Sequence, residues 1–391
     1  MNSAILIFAL SVGVILYVLL GYPILVAVWA RLFPRPISKQ FVPRTVSVVI
    51  PVRNGARWIK RKIESLIDSD YPANLIEVVF VSDGSTDATE SIIAGQPDPR
   101  VRLLTVPAGG KATAVGRGIE IASGEIIAFT DVRQEIDREA LSHIVACFAD
   151  PSVGVVTGQL YIREGHNSEE YNTGLYWRYE KAIRKNLSQI DALLGASGSI
   201  YAMRRELTAP MPPDILLDDV YLPLKAAFQG FRIYFEERAK AYDYPTALRS
   251  EFWRKMRTQA GVYQTVKHFP CLLWPGNRQF LHFLSHKIGR LILPFALIAV
   301  AASSFGLPKP WREILLILQA VFYGLALIDP LIPERIPVKR ISSLIRTFVV
   351  LLASALCGIA VFFVPAQRLW RETRVETHPA AAETINSSSQ P

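Results

Sequence analysis

From residue 45 onward, short apolar runs rich in β-branched residues alternate with longer stretches whose apolar residues recur at helical spacing. The runs are TVSVVIPV (45–52), IEVVFVS (76–82), VRLLTV (101–106) and IIAFT (126–130), each bounded by Gly, Pro, Asp or Ser. ARWIKRKIESLIDS, DATESIIAG and GGKATAVGRGIEIAS fill the gaps. This alternation predicts an α/β domain with a mostly parallel sheet and helices on both faces. In open sheets of that kind the ligand sits beyond the carboxyl ends of the strands. Past residue 150 the rhythm changes. VGVVTGQLYI (153–162) reads as a strand, residues 168–189 as an amphipathic helix, and Asp218-Asp219 precede a further, apolar helix. Pro223 is expected in its first turn, where a missing N–H is harmless.

The two ends of the chain carry apolar runs of another kind. Residues 4–30 are 27 positions without a charge, long enough to cross a hydrocarbon core of about 30 Å. Residues 291–307 and 347–367 are also uncharged, and residues 314–332 form a weaker candidate that contains Asp329 and Pro330. The expected layout is a transmembrane helix within 1–37, a cytoplasmic domain at 38–279, a membrane region of about three helices at 280–367 and a disordered tail at 368–391. Arg31, Arg35, Lys39 and Arg44 follow the first run and nothing charged precedes it, which places the N-terminus outside and the middle domain in the cytoplasm. Arg335, Lys339 and Arg340 agree with that orientation, whereas Arg368, Arg371 and Arg374 in the tail oppose it.

The net charge of +9 suits a face resting on anionic lipid. No basic block interleaved with aromatic residues stands out, so nucleic acid is not an expected partner. Cys147, Cys271 and Cys357 are scattered and odd in number, which fits a reducing compartment better than a disulfide framework.

Polar residues gather where the predicted strands end. The first ends in Pro51-Val52-Arg53-Asn54-Gly55, the second in SDGSTD with Asp83 and Asp87, and the fourth in Asp131. PAGGKATA, with Lys111, follows the third. Singly, each has a plainer explanation: SDGSTD also reads as a turn with a helix cap, and Lys111 as a solvated helix residue. Together at successive strand tips they point to one polar site. In the second half, Gly195 to Ser199 are all small, a composition that lets backbone approach a substrate closely. Asp218 and Asp219 are adjacent on a helix and do not share a face, so they should have different tasks, with Asp218 placed as the N-cap.

Taken in order, VSVVIPVRNGARWIKRKIESLIDSDYPANLIEVVFVSDGSTDAT and GGKATAVGRGIEIASGEIIAFTD resemble the nucleotide-sugar domain of family 2 glycosyltransferases of the GT-A fold, over about residues 46–244. The flanking apolar runs suit the membrane-bound group that includes cellulose and hyaluronan synthases. The resemblance implies a donor site in which Pro51 and Val52 line a uracil pocket, Asp83 bonds the base and Lys111 lies near the phosphates, with Asn54 beside them. Asp131 matches the first Asp of an Asp-x-Asp motif and is the implied ligand for Mg²⁺ or Mn²⁺. The second Asp is replaced by Arg133. Three readings of Arg133 follow: a metal still held through Asp131, a guanidinium that partly replaces it, or a side chain turned away onto Glu135 or Asp137.

The same resemblance makes Asp219 the general base. The acceptor is then expected against Gly198, Ser199, Asp218, Arg254 and Arg257, the last two lying where processive synthases carry Gln-x-x-Arg-Trp. Thr258 stands at the Trp position, and Trp253 is a candidate substitute. His286 is expected to anchor a membrane entry. The function implied is inverting transfer of a sugar from a UDP-sugar to a lipid-linked or polysaccharide acceptor at a bacterial inner membrane, with any export partner unidentified. A nucleotide-sugar-binding membrane protein acting as a partner or sensor is the second reading.

Overall fold

The computed structural model describes residues 3–162, 168–244, 248–333 and 335–365, the side chains of 168–177 excepted. The tail expected at 368–391, with its three arginines, lies outside the described residues.

Among the described residues, eight strands form one sheet in the order β3-β2-β1-β4-β7-β6-β8-β5. They are β1 (Val46–Val52), β2 (Ile76–Asp83), β3 (Val101–Val106), β4 (Ile126–Phe129), β5 (Glu135–Ile136), β6 (Val153–Ile162), β7 (Tyr201–Arg204) and β8 (Arg232–Asp243). The four strands predicted between residues 45 and 130 pair in parallel. β7 then enters antiparallel between β4 and β6. That insertion makes the sheet mixed beyond β4, and it brings the loop before β7 to the tip of β4.

Alternation along β1 sends Val49 to one face and Val46, Val48 and Ile50 to the other, each into its own core cluster. The helix Lys111–Ile121 packs on the first of these faces. At Gly118 any Cβ would collide with Val49 and Val81, so only glycine permits this approach. The close packing directs the helix N-terminus, with Lys111, to the strand tips. β4 pairs with β1 only as far as Val49, so Pro51 lies where β1 has a single neighbour and its lack of an N–H is tolerated.

Among the described residues, four helices are long and apolar enough to cross a membrane: Ser3–Leu32, Phe280–Ser304, Trp311–Leu331 and Val338–Phe362. Two start well before their uncharged stretches and thereby include cations. Lys287 and Arg290 lie in the second helix and Lys339 in the fourth. The first helix joins the core of the α/β domain, where Tyr22 and Val26 pack in the same cluster as Val49 and Phe283. Tyr22 Oη lies 3.1 Å from His282 Nδ1, and Tyr17 Oη lies 2.7 Å from Ser285 Oγ, which couples the first helix to the second.

Candidate active site

Every residue assigned above to donor, acceptor or base lines one cavity of about 1040 Å³. The donor end is built from the loops after β1 to β4. Asp83, 5% exposed at the end of β2, accepts the N–H groups of Gly109 at 2.6 Å and Gly110 at 3.0 Å. Gly110 has φ +89°, a conformation that favours glycine, and so the chain can turn back into the helix that begins at Lys111. Asn54 accepts the Thr86 N–H at 2.8 Å and ties the β1 loop to the β2 loop. Asp87 stays out of the cavity and accepts the N–H groups of Thr89 and Ala56. The turn-and-cap explanation therefore holds for Asp87 and not for Asp83.

Lys111 is the hub of the acidic centre. Its Nζ lies 2.8 Å from Asp131 Oδ1 and 3.1 Å from Asp218 Oδ1. Burial alone would lower the Lys111 pKa, but Asp131, Asp218 and Asp219 outweigh it and hold the amine well above the ordinary lysine range. Burial likewise disfavours the Asp131 anion, and Lys111, helped by Arg257 and Arg133, overcomes this and lowers its pKa. The carboxyl of Asp218 is thus spent on Lys111. The expectation that Asp218 caps its helix is corrected: the helix Asp218–Phe228 starts at Asp218, and Leu217 holds the cap position.

Pro223 requires a second correction, because it lies inside that helix and not in its first turn. A proline there leaves the carbonyl four residues earlier, that of Asp219, without its helical donor. Ala196 N–H fills the vacancy at 2.7 Å. The Asp219 side chain receives Gly198 N–H on Oδ2 at 2.8 Å. Both ends of Asp219 therefore hold the small-residue loop before β7. Burial and the neighbouring Asp218 charge push the Asp219 carboxyl up to about 6, against the pull of Lys111. A methyl added at Gly198 would stand 3.3 Å from Asp219 Oδ2 and 3.6 Å from both Asp131 Oδ2 and Lys111 Nζ. No side chain can enter this point without filling the space between the two carboxylates.

Arg133 lines the cavity, but its Nη2 lies 2.5 Å from Asp243 Oδ2. Gln134 Nε2 donates to the same oxygen at 2.9 Å. The partner expected among Glu135 and Asp137 is corrected to Asp243, at the end of β8. Trp253 packs in a small apolar cluster with Leu216 and Met256 and does not line the cavity, so it does not take the place of the missing Trp. His286 is 5% exposed and lines the cavity, which removes the expected anchoring role toward lipid.

Lys62 was not among the predicted site residues. It is 1% exposed and donates to Thr130 Oγ1 and to Gln134 O, both at 2.7 Å, while Thr130 Oγ1 donates to Ser199 O at 2.7 Å. It braces the turn that carries Asp131 and joins that turn to the loop holding Asp219. Complete burial pushes its amine down to about 7. A signal was available: Ile59, Lys62, Ile63 and Leu66 occupy one helical face, three of them apolar.

Residues 47–209 match the family model for glycosyl transferase family 2. This segment belongs to glycosyltransferase family 2. The chain is 37% identical over 183 residues to an uncharacterized glycosyltransferase, YibD, of Escherichia coli (strain K12), covering 38% of this chain and 52% of that protein. It is 26% identical over 308 residues to an N-acetylglucosaminyltransferase of Rhizobium meliloti (strain 1021), covering 72% of this chain and 71% of the relative. The chain therefore spans about half the length of the first relative and about seven tenths of the second. Among solved structures, the mannosyltransferase PcManGT from Pyrobaculum calidifontis, in complex with GDP-Man and Mn²⁺, is similar with a TM-score of 0.69 at 23% identity. That match covers 91% of this chain and 99% of the other, and it establishes the GT-A fold.

Proposed function

We propose that this glycosyltransferase is an integral membrane enzyme that transfers a hexosyl or N-acetylhexosaminyl group from a UDP-sugar, with inversion, to a lipid-linked or polysaccharide acceptor. Its domain at 38–279 would face the cytoplasm of a bacterium, and its product would serve extracellular or cell-envelope polysaccharide. One observation carries the reading: the Asp219 carboxylate, held by Gly198 N–H and raised to about 6, faces the Asp131–Lys111 pair across the cavity. A carboxylate with that pKa is ionised near neutrality and still basic enough to accept a proton.

The step follows from this placement. Pro51, Val52 and Asn54 line the donor end, where the nucleoside would lie with Asp83, and the diphosphate would reach Lys111 and Asp131. The acceptor, lying against Gly198, Ser199 and Arg257, loses its hydroxyl proton to Asp219. Its oxygen forms the new bond to the anomeric carbon as the bond to the diphosphate breaks on the opposite face. Lys111 stabilises the charge that the leaving UDP gains. Among the described residues, no group of three or more His, Cys, Asp or Glu side chains converges on an ion. Asp131, which lines the cavity, nonetheless suits Mg²⁺ or Mn²⁺ held by one carboxylate, donor phosphates and water. When bound, such an ion neutralises charge on the diphosphate. Asp243 draws Arg133 aside, which favours this division over a guanidinium acting in place of the metal.

The testing experiment measures nucleotide release by the full chain in nanodiscs, supplied with a panel of UDP- and GDP-sugars and a membrane-lipid extract. Release with a UDP-sugar that Asp219→Asn abolishes is the expected outcome. Nucleotide binding without release, across an exhaustive set of acceptors, would favour a binding partner or sensor, for which a raised carboxylate has no use.

A further inference from the structure

The cavity has a second charged end, beyond Asp219 as seen from the strand tips. Arg184 comes from the helix Ser168–Gln189, and His286, Lys287 and Arg290 from the apolar helix Phe280–Ser304. Glu180 is the carboxylate among them, and it pairs with Arg290. Arg184 donates to Thr157 Oγ1 at 3.0 Å, yet neither it nor Lys287 has a carboxylate within ion-pair distance among the described residues. His286, 5% exposed, has neither ring nitrogen hydrogen-bonded and stands 3.9 Å from Glu180.

Basic side chains near the end of an apolar helix ordinarily reach outward to lipid headgroups. Here they line the cavity, where unbalanced positive charge is costly unless an anion completes it. Asp219 is the charge the two ends have in common. Arg184 and Lys287 feel Asp219 and Glu180, whereas Lys111 feels Asp131, Asp218 and Asp219. An acceptor whose hydroxyl meets Asp219 from the side opposite the donor would place its next group among Arg184, Lys287 and His286. A guanidinium fork, an ammonium and an imidazole converging from two helices suit the oxygens of a phosphoryl group.

We propose that this end of the cavity binds a phosphate or diphosphate ester on a lipid acceptor, delivered from the side of the apolar helices. The direction of approach rests on the transferase reading of Asp219, while the anion site itself rests on the side chains that form it.

The test uses the full chain in phosphatidylcholine nanodiscs, with farnesyl diphosphate, farnesol and inorganic pyrophosphate as probes and UDP affinity measured separately. Farnesyl diphosphate is expected to bind with UDP already present, with farnesol and pyrophosphate each at least about tenfold weaker. Lys287→Gln and Arg184→Gln should each weaken it by about tenfold or more, the loss of one charge-assisted contact. Lys287→Arg should restore binding, and UDP affinity should move by less than about twofold, since neither residue is at the donor end. Mutual exclusion of UDP and farnesyl diphosphate would overturn the proposal by giving the cluster to the donor. Equal binding of farnesol would reduce the site to an apolar surface, and equal binding of pyrophosphate would leave an adventitious anion only. Unchanged binding in both folded glutamine variants would also defeat it. Failure of every nucleotide sugar to turn over, with farnesyl diphosphate binding intact, would sink the transferase reading and leave the anion site standing.

Discussion

At the scale of single residues, the proposed chemistry centres on Asp219. Asp219→Asn should lower turnover by about 10²–10⁴-fold, the usual worth of a positioned base. In the wild type, kcat/KM should fall as pH drops through about 6, the point at which the carboxyl takes its proton. A stability signature of opposite sign accompanies this loss. The folded carboxyl binds its proton more tightly than the unfolded one, so the wild-type chain is destabilised by Asp219 above its folded pKa and relieved as pH falls toward the ordinary carboxylate range. Asp219→Asn should therefore raise the thermal midpoint at neutral pH, with the gain shrinking on acidification. A midpoint that drops instead would make Asp219 a structural carboxylate. Gly198→Ala tests the same centre through space. Its methyl would occupy the gap between Asp131 and Asp219, so turnover should fall by more than about tenfold while the fold remains intact. Wild-type rates in that variant would show that no reacting atom passes there.

At the scale of elements, the turn from Thr130 to Gln134 depends on a residue from the helix Ala56–Ile67. Lys62→Met keeps the bulk of the side chain but leaves Thr130 Oγ1 and Gln134 O without their donor, at a cost of about 1–3 kcal/mol for each buried group. Chemical denaturation should register this, and donor affinity should weaken with it because Asp131 rides on the turn. The junction of the last two apolar helices is a parallel case. Asp329, fully buried, accepts from Ser342 Oγ at 2.6 Å and lies 3.2 Å from Lys339 Nζ and 3.4 Å from Arg346 Nη1. The residue that weakens this stretch as a membrane candidate in the sequence is thus matched by charges one helix later. Asp329→Ala strands Lys339 in a buried site and should destabilise by about 3–5 kcal/mol. A thermal midpoint equal to wild type would mean that Lys339 finds water instead.

At the scale of the whole molecule, the α/β domain and the apolar helices share one cavity, so the proposed donor chemistry and the proposed route from the membrane would meet at Asp219. Removing divalent metal is the test that spans both halves. With a single carboxylate, Asp131, offered to the ion, EDTA should abolish turnover, and either Mg²⁺ or Mn²⁺ should restore it. Metal affinity should rise when UDP is bound, because the diphosphate supplies the missing oxygens. Full activity in EDTA would transfer the neutralising role to Lys111 and Arg133.

The sequence by itself determined the first four strands and the polar residues that gather at their tips. β1 to β4 lie where β-branched runs meet turn residues, and Pro51, Asp83, Lys111 and Asp131 stand at their tips, because strand ends and helix starts are local properties of the chain. The four apolar helices are legible for the same reason, although cations blurred where two of them begin. Only the tertiary structure decided the rest. The antiparallel entry of β7 carries Gly198 to Asp219, and Asp243 reaches Arg133 across 110 positions of chain. Pro223 frees a carbonyl whose new partner, Ala196, comes from another loop. Lys62, Arg184 and Lys287 read as ordinary surface lysines and arginines until packing turns them inward. A side chain's charge is written in the sequence, but its solvation and its partner are set by elements that meet only when the chain is folded.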